Sequence, residues 1–428
     1  MSKINLYKNV RQSLTKPDSF PFEVVERKFR GHPDSLADMV AQRFTQLYIQ
    51  DTWNIFPELK DKAFPNFSAD KITLSGASTQ YANKKYEVIK PIDALLIGKI
   101  TQKIGETQIN IDSLFEKSVN DILYQSLGHK EFIPYVKRKI YAATLAGTDH
   151  NKAFYAPEST KELLQILSNE SFANDTVYVV AYAPLSFTEK LSIRLDNLTY
   201  SEEFHKNFPQ IGSDIKAMIR RREHEFDITL CLPVMPETVS NIRTYEKIIK
   251  NASEFLYDKI LSIIKSEACY ANVLLDLNIN TKDTSTKKYF AVWGTSLSKG
   301  DIGAVGRGNR NQGFISGMRP STNEALSGKN PNHFAGIIYQ LVAEDIANSI
   351  FLNTGIANVV YITANNGDRL ENPNSIDILV AQNVTLDYEL QIREIIEKSL
   401  KNINQHKLKF INGDVFDRFM QFKLFDEQ

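Results

Sequence analysis

Apolar residues at Leu36, Met39, Val40, Phe44 and Leu47 recur every three or four positions and so line one helix face. They predict a helix from the Gly31-His32-Pro33-Asp34 turn to about Tyr48, with Asp34 or Ser35 placed to cap its start. Residues 23–30 (EVVERKFR), just before the turn, read as a strand, as do 71–76 (KITLSG), 87–97, 176–183 (TVYVVAYA) and 226–234 (FDITLCLPV). Residues 109–126 read as a strand followed by a helix, 240–266 as a long helix, and 288–293 (KYFAVW) as a strand entering a glycine-rich loop. Beyond that loop, Ile337, Ile338, Leu341, Val342 and Ile346 predict a helix over 334–351. Strands at 358–363 and 376–381 and a helix over 386–402 complete a mixed α and β pattern. Similar short groupings recur without a fixed sequence period, and no low-complexity linker divides them.

A chain of 428 residues, 42% hydrophobic and 24% charged, can bury two or three cores. Its formal net charge of zero supplies no global field for nucleic acid or an anionic membrane, so anion binding must rest on local clusters. Cys231 and Cys269 are too few for a disulfide framework or a cysteine zinc site and read as core thiols. The N-terminus lacks an apolar signal core, and no apolar run reaches the roughly 20 residues of a membrane span. The expected setting is a reducing cytoplasm.

The loop from Lys299 to His333 holds seven of the nineteen glycines together with Arg307, Arg310, Arg319 and Lys329. Glycine permits close backbone approach and guanidinium or ammonium groups suit phosphate oxygens, so the segment reads as a polyanion cradle or, alternatively, a solvated surface loop. Interleaved Asp301 and Glu324 add the possibility of a metal. His32 opens a helix where free N–H groups and the dipole attract anions. There Asp34 reads as a cap or metal ligand, and Asp38 as a solvated helix residue. In Gly212-Ser213-Asp214-Ile215-Lys216 the alternation puts Asp214 and Lys216 on one face, either as an ion pair or as contacts to separate ends of a ligand. Asp175 precedes the strand at 176–183. Neither a Walker A loop nor a dinucleotide-binding glycine loop is present, since Asn323, Asn330 and Asn311 occupy required positions. Arg220-Arg221-Arg222 reads as an exposed charged turn.

Together, ERKFRGHPDSLAD, ANDTVYVVAYAPLSFTE, GSDIKAM and GTSLSKGDIGAVGRGNRNQG…RPSTNEALSGKNPNH resemble the archaeal-type S-adenosylmethionine synthetases, in that family's order and over nearly the whole chain. The resemblance implies an α+β fold of three similar interleaved domains. Its expected boundaries are 1–24 with 186–296, 25–157 with 297–337, and 158–185 with 338–428. It implies attack of the L-methionine sulfur on C5′ of ATP and cleavage of the released triphosphate to pyrophosphate and phosphate, with Mg²⁺, two ions in the family, and K⁺. His32, Lys216, Arg307 and Lys329 match catalytic positions. Asp175, Asp214, Asp301, Gly303, Gly306 and Arg310 match positions that bind ATP or methionine, and Asp34 and Glu26 match positions near the metals. A homodimer or dimer of dimers with active sites at the interface is also implied.

The sequence departs from the family's pattern in three places. The usual ERKGIGHPDS carries Phe29 and Arg30, RPMSMEA is RPSTNEA, and GKNPVNHVGK is GKNPNHFAGI, which shifts the Asn-His pair and replaces a lysine by Ile337. These departures bear on the loop register around His333, on triphosphate cleavage and on the amino-acid substrate. The readings to separate are therefore an active synthetase, a divergent ATP-binding regulatory paralogue, and a phosphate- or RNA-binding interaction protein.

Overall fold

A computed structural model of the chain describes residues 2–82, 85–128, 136–143, 155–167, 172–173, 175–322, 324–332, 334–413 and 415. Three sheets organise it. Lys3–Tyr7 runs parallel to Ser375–Val380, which continues antiparallel through Asn358–Ala364 to Val177–Ala183. The second sheet joins Leu274–Ile279, Glu225–Cys231, Lys216–Arg222, Phe22–Lys28 and Ile315–Ser316. Ile302–Ala304, Phe67–Ser75, Ile92–Ile100 and Val136–Ala143 form the third.

Each sheet carries a pair of long helices, because alternating strands leave one apolar face to cover. Pro33–Ile55 and Ile111–Leu127 pack on the third sheet, Phe187–Thr199 and Ile242–Lys265 on the second, and Ala335–Thr354 with Leu386–Lys401 on the first. Leu36, Met39, Val40 and Phe44 are fully buried, each stabilising the fold by about 1.5–3 kcal/mol where a large side chain leaves water. The α+β class and the interleaving of distant segments agree with the sequence reading.

Several expectations are corrected. Lys3–Tyr7 belongs with the Ser375–Val380 sheet rather than with residues 186–296, and Phe22–Lys28 pairs along its length with Lys216–Arg222 rather than dividing at residue 25. Periodicity identifies a strand but not its neighbour. Residues 288–293 form no strand: Phe290 makes a single bridge to Val234, and Trp293 and Gly294 turn left-handed at φ of 60° and 66°. The turn is forced by a backbone crossing, since a Cβ on Gly294 would lie 2.6 Å from the Gly212 Cα. Residues 87–97 divide into Lys85–Lys90 and Ile92–Ile100, separated by Pro91, and the short pair Lys103–Ile104 and Thr107–Gln108, not a strand from 109, precedes the Ile111–Leu127 helix.

The cysteines are exposed, not core. Strand parity turns Phe226, Ile228 and Leu230 inward and leaves Cys231 outward, although the run reads as uniformly apolar. Arg220–Arg222 lie on a strand, not a turn, and Arg221 is buried against Glu23. Among the described residues no helix is long and apolar enough to cross a membrane.

Candidate functional site

The end of the Phe22–Lys28 strand, the Gly31-His32-Pro33-Asp34 turn and the first half of the glycine-arginine loop meet at one place. His32, rather than Asp34 or Ser35, caps the Pro33–Ile55 helix: its Nδ1 accepts the Asp34 N–H at 3.2 Å. That bond leaves Nε2 to carry the proton of a neutral imidazole. Burial pushes the His32 pKa down from 6.5 to about 4, outweighing the opposing pull of Asp34, so the ring is neutral at pH 7 with one N–H to donate.

Asp34 is freed from capping and buried. Its carboxylate accepts from Ala304 N at 3.1 Å and from Lys28 Nζ at 2.9 Å. Asp38, one turn on, is also buried and accepts from Gly306 N at 2.8 Å. The two acids therefore hold the loop backbone onto the helix, and the solvated reading of Asp38 is set aside. Glycine is required for that fit. A Cβ at Gly303 would fall 1.9 Å from the Pro33 carbonyl oxygen, and one at Gly308 would fall 2.2 Å from the Asp38 carboxylate. Gly306 turns with φ of 83° to present its N–H to Asp38. Lys28 adds a third tie by donating to the Arg307 carbonyl, while Asn309 exchanges two hydrogen bonds with the Lys28 backbone.

Cations and acids are interleaved around His32, which feels Asp34, Lys28, Asp301 and Lys216 together. Lys216 pairs with Glu26 across neighbouring strands at 3.0 Å, with Lys28–Asp34 nearby. Arg307 and Arg310 keep exposed guanidinium groups, Arg310 reaching the Gly306 carbonyl at 3.5 Å. Buried Asp214 accepts from the Ser296 backbone at 2.7 Å, from the Ser296 hydroxyl and from Thr295. Burial raises the Asp214 pKa to about 7 against those donors. The Ser296 hydroxyl also lies 3.1 Å from the Asp301 carboxylate, so it bridges the two acids.

The Asp175 carboxylate accepts the Thr176 N–H, and among the described residues no hydrogen bond or ion pair joins it to His32 or Lys216. Lys329 is largely buried, 2.5 Å from Glu324 and 3.7 Å above the Phe334 ring. A small cavity of about 30 Å³ is lined by Asp38, Gly306, Arg310 and Glu324. Asp301 and Glu324 thus serve different neighbours and form no joint centre, and among the described residues no cluster of three or more His, Cys, Asp or Glu is arranged for a metal. Arg319 is no ligand cation at all. It is buried, doubly bonded to Glu189 at 2.9 and 3.1 Å and to the Thr15 and Pro184 carbonyls. Ile337 is a core position. His333, which bears on the loop register, lies outside the described residues.

Sequence reasoning missed Lys28, Ser296 and Asn309. Lys28 had a usable signal: strand parity puts it on the face of Glu26, next to the turn. Ser296 and Asn309 sit in irregular backbone, where no periodicity aims a side chain.

The sequence profile of the S-adenosylmethionine synthetase (AdoMet synthetase) family matches residues 8–414. The S-adenosylmethionine synthase of Haloquadratum walsbyi is 29% identical over 408 residues, covering 92% of this chain and 94% of the relative. That of Methanococcus aeolicus is 28% identical over 412 residues, covering 94% and 96%. Among solved structures, an unusual S-adenosylmethionine synthetase from Campylobacter jejuni superposes with a TM-score of 0.54 at 12% identity, over 95% of this chain and 98% of its own, a likeness of fold.

Proposed function

Because the chain belongs to the S-adenosylmethionine synthetase family, we propose that it makes S-adenosylmethionine from ATP and L-methionine and cleaves the released triphosphate to pyrophosphate and phosphate. The observation that carries this reading is the neutral His32, with its Nε2–H free to donate, among the ion-paired Lys28 and Lys216 and the carboxylate of Asp301. A thioether is a weak, neutral nucleophile, so the rate must come from alignment and from stabilising charge on the leaving triphosphate. His32 donates toward the oxygen that leaves C5′, while Lys216, Arg307 and Arg310 receive the phosphates. Asp214 and Asp301, coupled through Ser296, face the nucleoside and the methionine ammonium, where the sulfonium charge develops.

The family is generally dependent on a divalent metal and potassium. Glu26 and Asp34 suit such ions, because each carboxylate is held by a lysine that can exchange it for a phosphate oxygen, and Mg²⁺ takes few carboxylates beside phosphate and water. Bound Mg²⁺ would neutralise phosphate charge and fix the chain's orientation. A homodimer completes the reading: Asp175, bonded only locally to the Thr176 N–H among the described residues, acts at the site of a second copy. ATP and L-methionine are its substrates and the cytoplasm its setting.

One observation supports a second reading. Lys329, matched to a triphosphate cation, is already neutralised by Glu324, which fits a paralogue that binds ATP and cleaves triphosphate poorly. Product formation by the unaltered protein separates these, and replacing His32 by alanine tests the role assigned to it. The enzyme reading expects synthesis to fall by at least about 100-fold with an unchanged circular-dichroism spectrum, whereas full activity in that variant rejects the assigned role.

A further inference from the structure

Arg30, where the resembling family has an apolar residue, is buried two positions before His32. Its Nε donates to Asp196 Oδ1 at 3.3 Å, its Nη2 donates to Asn197 Oδ1 at 3.1 Å, and its guanidinium carbon lies 3.8 Å over the Tyr200 ring. The Tyr200 hydroxyl in turn donates to the Gln125 carbonyl at the end of the Ile111–Leu127 helix. One side chain thus engages the Phe187–Thr199 helix and, through Tyr200, a second helix from a different sheet layer. A planar fork with two acceptors and an aromatic face has little freedom left.

The same carboxylate holds the other wall of the site. Asp196 Oδ2 accepts from Arg27 Nε and Nη2 at 3.0 and 2.7 Å, and Arg27 Nη1 donates to the Gly313 carbonyl in the glycine-arginine loop. Between the two arginines the turn is packed hard. Phe29 is buried and its N–H donates to the Ile215 carbonyl at 2.9 Å, the His32 N–H donates to the Phe29 carbonyl at 2.9 Å, and a Cβ at Gly31 would lie 2.3 Å from the Ser213 hydroxyl. The backbone leading into His32 is thus restrained by its own hydrogen bonds, by the Gly31–Ser213 contact and by the Arg30 side chain on Asp196 and Asn197.

We infer that Arg30 is a positioning residue, which fixes the His32 turn on the Phe187–Thr199 helix through Asp196 and so sets His32 against the loop that Arg27 holds from the same carboxylate. The inference rests on the proposed synthetase reaction for its kinetic consequence and on the geometry alone for its structural one.

The test compares Arg30→Met, which keeps the stem and removes the fork, with Arg30→Lys, which keeps the charge, in the full-length protein with ATP, methionine, Mg²⁺ and K⁺. Arg27 still satisfies Asp196 in both. Arg30→Met is expected to lower kcat by about tenfold or more while both KM values stay within about twofold, the signature of lost alignment rather than lost ligand contact. Arg30→Lys is expected to fall between it and the unaltered protein. In protein labelled with ¹³C-histidine, the His32 ring signal, assigned with His32→Gln, should be single in the parent and broadened or doubled in Arg30→Met.

An unchanged kcat with an unchanged His32 signal would overturn the inference, as would a rise in KM that accounts for the whole loss, or unfolding of both variants. If the unaltered protein makes no S-adenosylmethionine, the proposed reaction fails. The His32 signal still decides the positioning, broadened for it and unchanged against it.

Discussion

Arg307 and Arg319 belong to one glycine-rich segment and look equivalent as letters, yet the fold uses them for opposite purposes. The first half of the segment is held by its backbone: Asp34 and Asp38 accept from Ala304 and Gly306, Lys28 donates to the Arg307 carbonyl, and the Arg307 and Arg310 side chains stay exposed. The second half is held by backbone pairing at Ile315–Ser316 and Gly328 and, in addition, by its cationic side chains. Arg319 is buried on Glu189 and over the Tyr182 ring, and Lys329 is engaged by Glu324. A loop fixed through its backbone can spare its cations for a ligand, whereas a loop fixed through its cations as well cannot.

That contrast can be broken experimentally. Arg319→Met should produce the largest change in stability, about 3–5 kcal/mol, because Glu189 would be left buried and uncompensated. Chemical denaturation reads the loss, and the specific activity of the folded fraction should stay near that of the parent. Arg307→Met should do the reverse, lowering turnover by about 100-fold or more, roughly 3 kcal/mol of transition-state stabilisation, with an unshifted denaturation midpoint. A drop in stability there would place Arg307 in the structural half. Glu324→Gln should give the smallest effect, tightening inorganic triphosphate binding by no more than about fivefold, about 1 kcal/mol, as Lys329 loses a half-exposed partner. Calorimetric titration that finds weaker binding would show Glu324 serving the ligand directly.

Much of the fold was readable from periodicity. The apolar face of the Pro33–Ile55 helix, the apolar run of Val177–Ala183 and the alternation of Glu225–Cys231 each follow from local burial. Strand neighbours were not readable, because Lys3–Tyr7 carries nothing that distinguishes a partner at 375–380 from one near 220. The site was legible as a set of motifs, Gly-His-Pro-Asp, Asp-x-Lys and the glycine-arginine loop, and three of its features were not.

His32 caps the helix because its Nδ1 reaches the Asp34 N–H, a choice made by side-chain rotation rather than by residue type. Asp38 became a buried anchor because distant Gly306 turned its N–H toward it. Arg319 was misread because its partner, Glu189, comes from another layer of the fold. Each depends on contacts distant in sequence, where a single chain without its fold carries no pairing information.

The central claim is tested most directly by incubating the purified protein with ATP, L-methionine, Mg²⁺ and K⁺ and resolving the products by mass spectrometry. The account predicts S-adenosylmethionine with pyrophosphate and phosphate in equal amounts. Bound ATP with no sulfonium product, at protein and substrate concentrations that saturate binding, would contradict it.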